Sequence, residues 1–325
     1  MLHLMCYADE RDDIESFAID CFNDVTGMNG SCFALYDVQS KAGKSLTPSK
    51  IGEDLATLFE NSFSEFSPYF LTFTLFMGGV SPGVLSDSNL SEFGFHDMKP
   101  KAQSSVRKHL LSAVSTRYKG ANASWATDDN VDDFLCKVRF VISKENPIEY
   151  IRTLARTSSA LLPSDRELRS IFGQIRDKQS SLKNRDSIVG KSINRPDEIM
   201  DYGRTIKWRE IKLLIIERLL NRDFYKDKAP AEFMAYLDTL PPEVDLQDVT
   251  EDCRNEMFKQ YFDKNDRDAF WSLFDEIVTV LENNPEIGIT EVYDRIDVKA
   301  LKECGYMDRR SKLYFIATIK DGLAK

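Results

Sequence analysis

Histidine is scarce in this chain: His3, His96 and His109 are the only three in 325 residues. A metal centre built on imidazole is thereby excluded. The six cysteines (Cys6, Cys21, Cys32, Cys136, Cys253, Cys304) are scattered, with no CxxC spacing. That excludes a zinc ribbon and a disulfide framework, and fits reduced, buried thiols in a cytosol. The longest apolar runs, near Phe70–Met77 and Leu213–Ile216, fall far short of the ~20 residues that span a bilayer. The first residues lack a basic segment followed by an apolar one, so no signal peptide is expected and the protein is placed in the cytoplasm. Positive charge is also not in excess. A formal net charge of −10 excludes a uniformly basic nucleic-acid coat, although a local basic groove can sit on an acidic protein. No repeat recurs at a fixed period.

What is present reads as two regions. Residues 1–145 carry strand-like runs separated by glycine-containing turns and two helical stretches, the pattern of an α/β domain with a mixed sheet flanked by helices. Residues 1–15 read as a short helix or arm, Ser16–Cys21 as a strand, Asn23–Ser31 as a hairpin turn and Cys32–Lys41 as a second strand. Ile51, Leu55, Leu58, Phe59 and Phe63 recur at helical spacing within a helix over 48–66. The aromatic run Tyr69–Met77 is expected as a buried strand, ended by Gly78-Gly79. Residues 84–98 read as a polar loop, Lys99–Arg117 as a basic helix and Asp132–Ser143 as a further strand. Residues 146–325 read as all-α, for oligomerisation or partner binding. Their amphipathic segments are Ile148–Leu162, Ser164–Leu182, Asp197–Leu220, Ala229–Leu240, Thr250–Phe262 and Asp266–Asn283, with one short strand in Leu313–Ile319. Ser164 with Glu167 forms a capping-box pattern. Ile206–Leu220, nearly continuous in apolar residues, reads as either a core helix or a subunit interface.

The chemistry concentrates in one stretch. The apolar run Phe33-Ala34-Leu35-Tyr36 closes in Asp37-Val38-Gln39-Ser40-Lys41. Strand alternation puts Asp37, Gln39 and Lys41 on one face, and Ala34, Tyr36, Val38 and Ser40 on the other. Such a strand has either left the core or entered an active site. Upstream, Ile19-Asp20-Cys21-Phe22-Asn23-Asp24-Val25 sets two acids before a glycine-containing turn. Hydrolysis of a phosphodiester calls for a divalent cation that neutralises developing charge and activates water. Magnesium takes oxygen ligands and keeps several waters. Asp24, the Gln39 side-chain oxygen and a backbone carbonyl near Ser40 would meet that need. Lys41 would stabilise the pentacovalent phosphate or orient the attacking water, and Asp20 would hold a metal-bound water or help a second ion. Asp37 reads as structural support behind Gln39, and Glu15 as an outer acid. The plainer reading is an ordinary hairpin with solvated polar ends.

The run DCFNDVTGMNGSCFALYDVQSKAG resembles the core of the PD-(D/E)xK restriction-like nucleases, and more closely the variant in which Gln replaces the second acid. Within that superfamily it is similar to the effector nuclease domains of bacterial anti-phage systems of the CBASS and Lamassu types. Those domains carry an acid-x-x-(D/N)-D-V strand followed by Q-x-K, as Asp20, Asn23, Asp24, Val25, Gln39 and Lys41 do here. The later run RFVISKENPIEYIRTLARTSS, with the helical array behind it, also resembles that family. The likeness extends roughly over residues 1–220. It implies a restriction-endonuclease-like N-terminal domain and a Mg²⁺-dependent double-stranded DNA endonuclease, with Mn²⁺ able to substitute. Asp20, Asp24, Gln39 and Lys41 would be catalytic, with Asp24, Gln39 and Asp20 at the metal. The enzyme would be a defence effector, homo-oligomeric and held inactive until an SMC-like ATPase partner or an oligomer change releases it. Two features depart from the family pattern. There is little room for a longer N-terminal helix, and Asp20 stands where Glu is common. The helical remainder is also too short and glycine-poor for a cyclic-oligonucleotide sensor, which favours the Lamassu type of control.

Lys44, Lys50, Lys101, Arg107 and Lys108 are the expected DNA phosphate contacts; the plainer reading of the 99–117 helix is a solvated face. The loop Gly78–Gly83 reads as a strand-ending turn or as a lining of the DNA cleft. Two competing functions stand beside the nuclease. One is a catalytically inactive nuclease fold used as a DNA-binding or scaffolding subunit. The other is a helical interaction module with an unrelated α/β head, which would bind no divalent ion.

Overall fold

Seven short strands share one mixed sheet in the computed structural model, which describes residues 1–11, 14–117, 124–144, 146–155, 164–183, 193–241, 245–263 and 267–323. The strands are β1 (Ser16–Ile19), β2 (Val25–Met28), β3 (Leu35–Lys41), β4 (Phe70–Met77), β5 (Glu92–Gly94), β6 (Val138–Ile142) and β7 (Thr205–Lys207). Their spatial order is β5-β6-β4-β3-β2-β1-β7. The pairs β1–β2 and β2–β3 are antiparallel, whereas β3–β4 and β4–β6 are parallel. Parallel strands need crossovers, and helices supply them. Helices α2 (Pro48–Asp54) and α3 (Ala56–Phe63) link β3 to β4, while α4 (Pro100–Arg117) and α5 (Asp128–Leu135) lie between β4 and β6. With α1 (Leu2–Arg11) in front, the chain order is helix, three strands, helix pair, strand.

Sequence explains the layering. The aromatic and β-branched run of β4 lies in the middle of the sheet, with Phe70, Phe73, Thr74, Leu75 and Met77 buried and only Leu71, near its start, exposed, as a strand covered on both faces over most of its length should be. Phe73, Leu75 and Met77 pack with Leu58, Phe59, Val106 and Leu110 of the helices in one core. The intervening Phe76 turns to the other face, against His3 of α1 at 5.5 Å between ring centroids. Helices α2 and α4 cross closely at Gly52, where a Cβ would sit 2.4 Å from the Val106 carbonyl oxygen. At the end of β4, a Cβ on Gly79 would meet the Lys44 carbonyl at 2.3 Å. The Gly78-Gly79 pair thus lets the chain after β3 lie directly on the chain after β4.

Four expectations need correction. The stretch 23–31 holds a full strand, β2, because Val25–Met28 pairs on both sides, with β1 and with β3. Asp132–Leu135 belongs to helix α5, capped by the Thr127 hydroxyl, and only Val138–Ile142 is strand. Within the expected loop 84–98, Glu92–Gly94 forms β5 against β6. The stretch 197–220 is not one helix: a 3₁₀ turn (Pro196–Tyr202) and strand β7 precede helix α8 (Trp208–Leu219).

The described residues form two compact units. The first is Met1–Tyr150 together with Gly173–Trp208, and the second is Ile151–Phe172 together with Arg209–Lys325. A single division after residue 145 therefore misplaces Gly173–Trp208, since β7 pairs with β1 and buries Ile206 in the first unit. The second unit is helical. Its elements include α9 (Ala231–Leu237), α10 (Leu246–Phe262), α11 (Arg267–Asn283), α12 (Ile289–Arg295), α13 (Val298–Glu303) and α14 (Arg309–Leu323). Leu313–Ile319, expected as a strand, is the buried middle of α14. A continuous apolar run has no period that separates strand from central helix. Here Phe315 packs at a tilt against Phe270 and Phe274 of α11. The chain passes between the units along α6 (Ile148–Ala155), α7 (Asp165–Lys183) and α8. Residues 156–162 of the expected helix Ile148–Leu162 lie outside the described residues. The capping box forms as expected, with the Ser164 amide donating to Glu167 Oε2 at 2.7 Å and the Glu167 amide donating to Ser164 Oγ at 3.3 Å. Among the described residues no helix is long and apolar enough to cross a membrane.

Candidate active site

The β2–β3 register builds the site. Val25 lies opposite Val38 and Thr26 opposite Asp37, so Asp24, just before β2, comes to lie beside Gln39. The Gln39 Nε2 donates to Asp24 Oδ2 at 2.7 Å, and the Ser40 amide donates to the same oxygen at 2.7 Å. The Asp24 amide in turn donates to Asn23 Oδ1 at 3.2 Å. Two residues further along β3, Lys41 extends from the same face. Its Nζ lies 3.7 Å from Asp54 Oδ1 on α2, and Lys50 Nζ approaches that oxygen at 3.2 Å. The neighbouring carboxylates of Asp54 and Glu53 raise the Lys50 ammonium pKa. Asp54 Oδ2 is buried and makes no hydrogen bond among the described residues. One carboxylate therefore gathers two ammonium groups at the open end of β3.

At the closed end, Asp37 is fully buried. Its Oδ2 accepts from Asn61 Nδ2 of α3 at 2.6 Å and from Asn23 Nδ2 at 3.3 Å, and its Oδ1 accepts from Thr26 Oγ1 at 3.0 Å. Burial pushes the Asp37 carboxyl up to about 6, and the hydrogen bonds from Asn61, Asn23 and Thr26 pull against that rise.

Two oxygens of this arrangement are open to a divalent ion. Asp24 Oδ1 and Gln39 Oε1 make no hydrogen bond among the described residues, and neither is among the buried unpartnered atoms. Both are hard oxygen donors from one strand pair. No group of three His, Cys, Asp or Glu residues suited to a metal occurs among the described residues. Two oxygens from neighbouring residues do not make a closed all-protein cage, and an ion held there would need waters to complete its shell.

Asp20 is not drawn into this arrangement. It sits at a positive φ of 55°, and its carboxylate faces Arg204 and Lys183, each at 3.6 Å. Glu15 lies against Gly30, at the turn end of the hairpin, opposite to Gln39 and Lys41. Of the expected phosphate contacts, Arg107 is engaged elsewhere: it forks onto Asp132 at 2.6 and 3.0 Å and reaches Asp128 at 2.8 Å. Those acids hold its guanidinium pKa above the ordinary arginine value. Lys44, Lys101 and Lys108 are exposed, Lys101 and Lys108 on the outer side of α4. Asp54, Thr26 and Asn61 were not anticipated as neighbours of the site. Asp54 had a signal in its i,i+4 spacing from Lys50, whereas nothing local marked Asn61. No protein-family model, curated protein or solved structure matches the chain.

Proposed function

We propose that the first unit is a Mg²⁺-dependent endonuclease of the restriction-like class, cutting double-stranded DNA. The observation that carries the reading is the Asp24–Gln39 contact on adjacent antiparallel strands, with Lys41 two residues on along the same face. The order of helix, three strands, helix pair and parallel strand also accords with the D…QxK resemblance.

Asp24 and Gln39 would hold the ion, with waters completing its shell. When bound, the ion supplies charge neutralisation at the scissile phosphate and a more acidic water. The Ser40 amide and the Gln39 amide group fix the Asp24 carboxylate, so no reorganisation is needed at the moment of reaction. The Lys41 ammonium stabilises charge developing on the phosphoryl oxygens. Asp54 restrains Lys41 and Lys50 together, near enough for both to meet one backbone phosphate. Lys44, Lys101 and Lys108 extend the basic track along the duplex.

Cutting both strands needs two such sites, so the active form is a homo-oligomer or a larger complex. By the same resemblance the chain is the effector of an anti-phage or anti-plasmid system, released by an SMC-like ATPase. Absence of such an ATPase from material purified with the chain from its own operon would remove that partner. One observation favours a second reading, a catalytically inactive scaffold: Asp20 is occupied by Arg204 and Lys183, which leaves Asp24 as the one carboxylate of the expected metal set beside Gln39. Plasmid cleavage with Mg²⁺ decides between them. The nuclease reading expects cutting by the wild type that disappears in EDTA and in Lys41→Ala. Cutting that survives Lys41→Ala overturns the assignment, and no cutting even with the partner complex favours the scaffold.

A further inference from the structure

A fully buried carboxylate between a sheet and a helix is expensive, and an apolar residue of similar volume is often at least as stable there. Asp37 occupies such a place with 0% exposure. Its partners show what it holds. Asn61 of α3 gives one amide nitrogen to both Asp37 Oδ2 and the Phe22 carbonyl, at 2.6 and 3.3 Å. Asn23 bridges the other way, donating to Asp37 through Nδ2 and accepting from the Asp24 amide through Oδ1. Three successive residues of the turn, Phe22, Asn23 and Asp24, are thus tied to one carboxylate. The Phe22 ring is also seated, edge-on, against Phe66 and Phe70. Downstream of this clamp, Asp24 Oδ2 meets Gln39 and the Ser40 amide.

We propose that Asp37 is a positioning residue: acting through Asn23, it fixes the turn that aims the Asp24 carboxylate at Gln39 and the Ser40 amide. Its catalytic consequence rests on the nuclease reading; its geometric consequence does not. The backbone of the turn between β1 and β2 is closed by the Asp20 amide, which donates to the Asp24 carbonyl at 3.2 Å, and the Asp37–Asn23 contact adds the side-chain restraint that reaches the Asp24 amide. Asp37 anchors the direction of Asp24 to the rigid pair of β3 and α3.

The test uses the full chain and two readouts. The first is amide hydrogen exchange at Ser40, whose N–H donates to the Asp24 carboxylate. The second is steady-state plasmid cleavage with Mg²⁺, separated into kcat and KM. In Asn23→Ala the Ser40 amide should exchange at least tenfold faster, and kcat should fall by about 100-fold, the cost of a misplacement near 1 Å, with KM unchanged. Asp37→Leu should behave likewise. Asp37→Asn should restore Ser40 protection and most of kcat, because one amide oxygen still accepts from Asn23 and Asn61 while its NH₂ group donates to Thr26 Oγ1. A residue serving only to stabilise the fold would lower the melting temperature and leave kcat per folded molecule unchanged. Unchanged Ser40 exchange in Asn23→Ala overturns the proposal, and so does faster exchange with unchanged turnover. If Asp37→Leu does not fold, Asn23→Ala decides alone. If the wild type cuts nothing even with the partner complex, the nuclease reading fails and the exchange measurement still decides the positioning.

Discussion

Asp24 and Asp37 stand on the same face of neighbouring strands, yet their surroundings give them different work. Asp37 is sealed beneath α3, and both of its oxygens accept hydrogen bonds from side chains. Asp24 is half-buried and spends one oxygen on two donors, which leaves the other without a hydrogen bond among the described residues. A fully buried carboxylate with both oxygens engaged organises structure and has no open side from which a ligand can approach. A carboxylate anchored through one oxygen is preorganised and still able to bind. On the proposed reading, environment alone would divide two acids of the same chemistry into a support and a ligand, and the division can be tested from its strongest consequence to its weakest.

The strongest consequence lies at the open end. Lys41→Ala should lower the rate of DNA cleavage by on the order of 10²–10³-fold, the usual effect of removing one preorganised charge-stabilising group, measured at matched concentration with Mg²⁺.

Next comes the pH dependence of the closed end. The Asp37 carboxyl stands at about 6 when folded, against an ordinary 3.8. The folded state therefore holds this proton more tightly than the unfolded state. The stability Asp37 contributes is fully present below 3.8 and is lost as pH rises through about 6. The full difference is about 3 kcal/mol at 1.36 kcal/mol per pH unit. Denaturant unfolding between pH 4 and 8 should show this decline in the wild type and a flatter curve in Asp37→Asn. Equal slopes would mean that Asp37 is not the buried, raised carboxyl described here.

A third prediction concerns the helix layer that carries Asp54 and packs on the sheet. Gly52→Ala sets a methyl group 2.4 Å from the Val106 carbonyl and should cost about 1–3 kcal/mol as α2 and α4 are pushed apart. Because α2 carries Asp54, DNA cleavage should fall together with stability. The smallest effect is expected at Arg107, whose exposed ion pairs with Asp128 and Asp132 are worth less than about 1 kcal/mol. Arg107→Ala should leave the salt dependence of DNA binding unchanged, while Lys101→Ala with Lys108→Ala should reduce its slope. A reduced slope in Arg107→Ala would return that residue to the DNA interface.

Part of this contrast was legible in the sequence. Alternation along Asp37–Lys41 gave the shared face, and the acid before a glycine-containing turn gave the partner of Gln39. The difference between Asp24 and Asp37 was only partly legible, because Asn61 reaches Asp37 from 24 positions away and no local spacing announces such a contact. Strand β2 was hidden for a related reason. Val25-Thr26-Gly27-Met28 is too short for a clear period, and its glycine makes room for Ile14, which would lie 2.8 Å from a Cβ at Gly27. Helix α14 was obscured in the opposite way, since burial all round erases the pattern that separates a helix from a strand. Arg107 looked available for DNA because its acids on α5 come near only once α4 and α5 are folded together.

The most direct test of the division is titration of Mn²⁺ into the 325-residue chain, followed by calorimetry, for the wild type and for Asp24→Ala. The account predicts one-site binding in the wild type and its loss in Asp24→Ala. Equal heats in both proteins, or no binding by the wild type, would contradict the claim that Asp24 is the ligand and Asp37 its support.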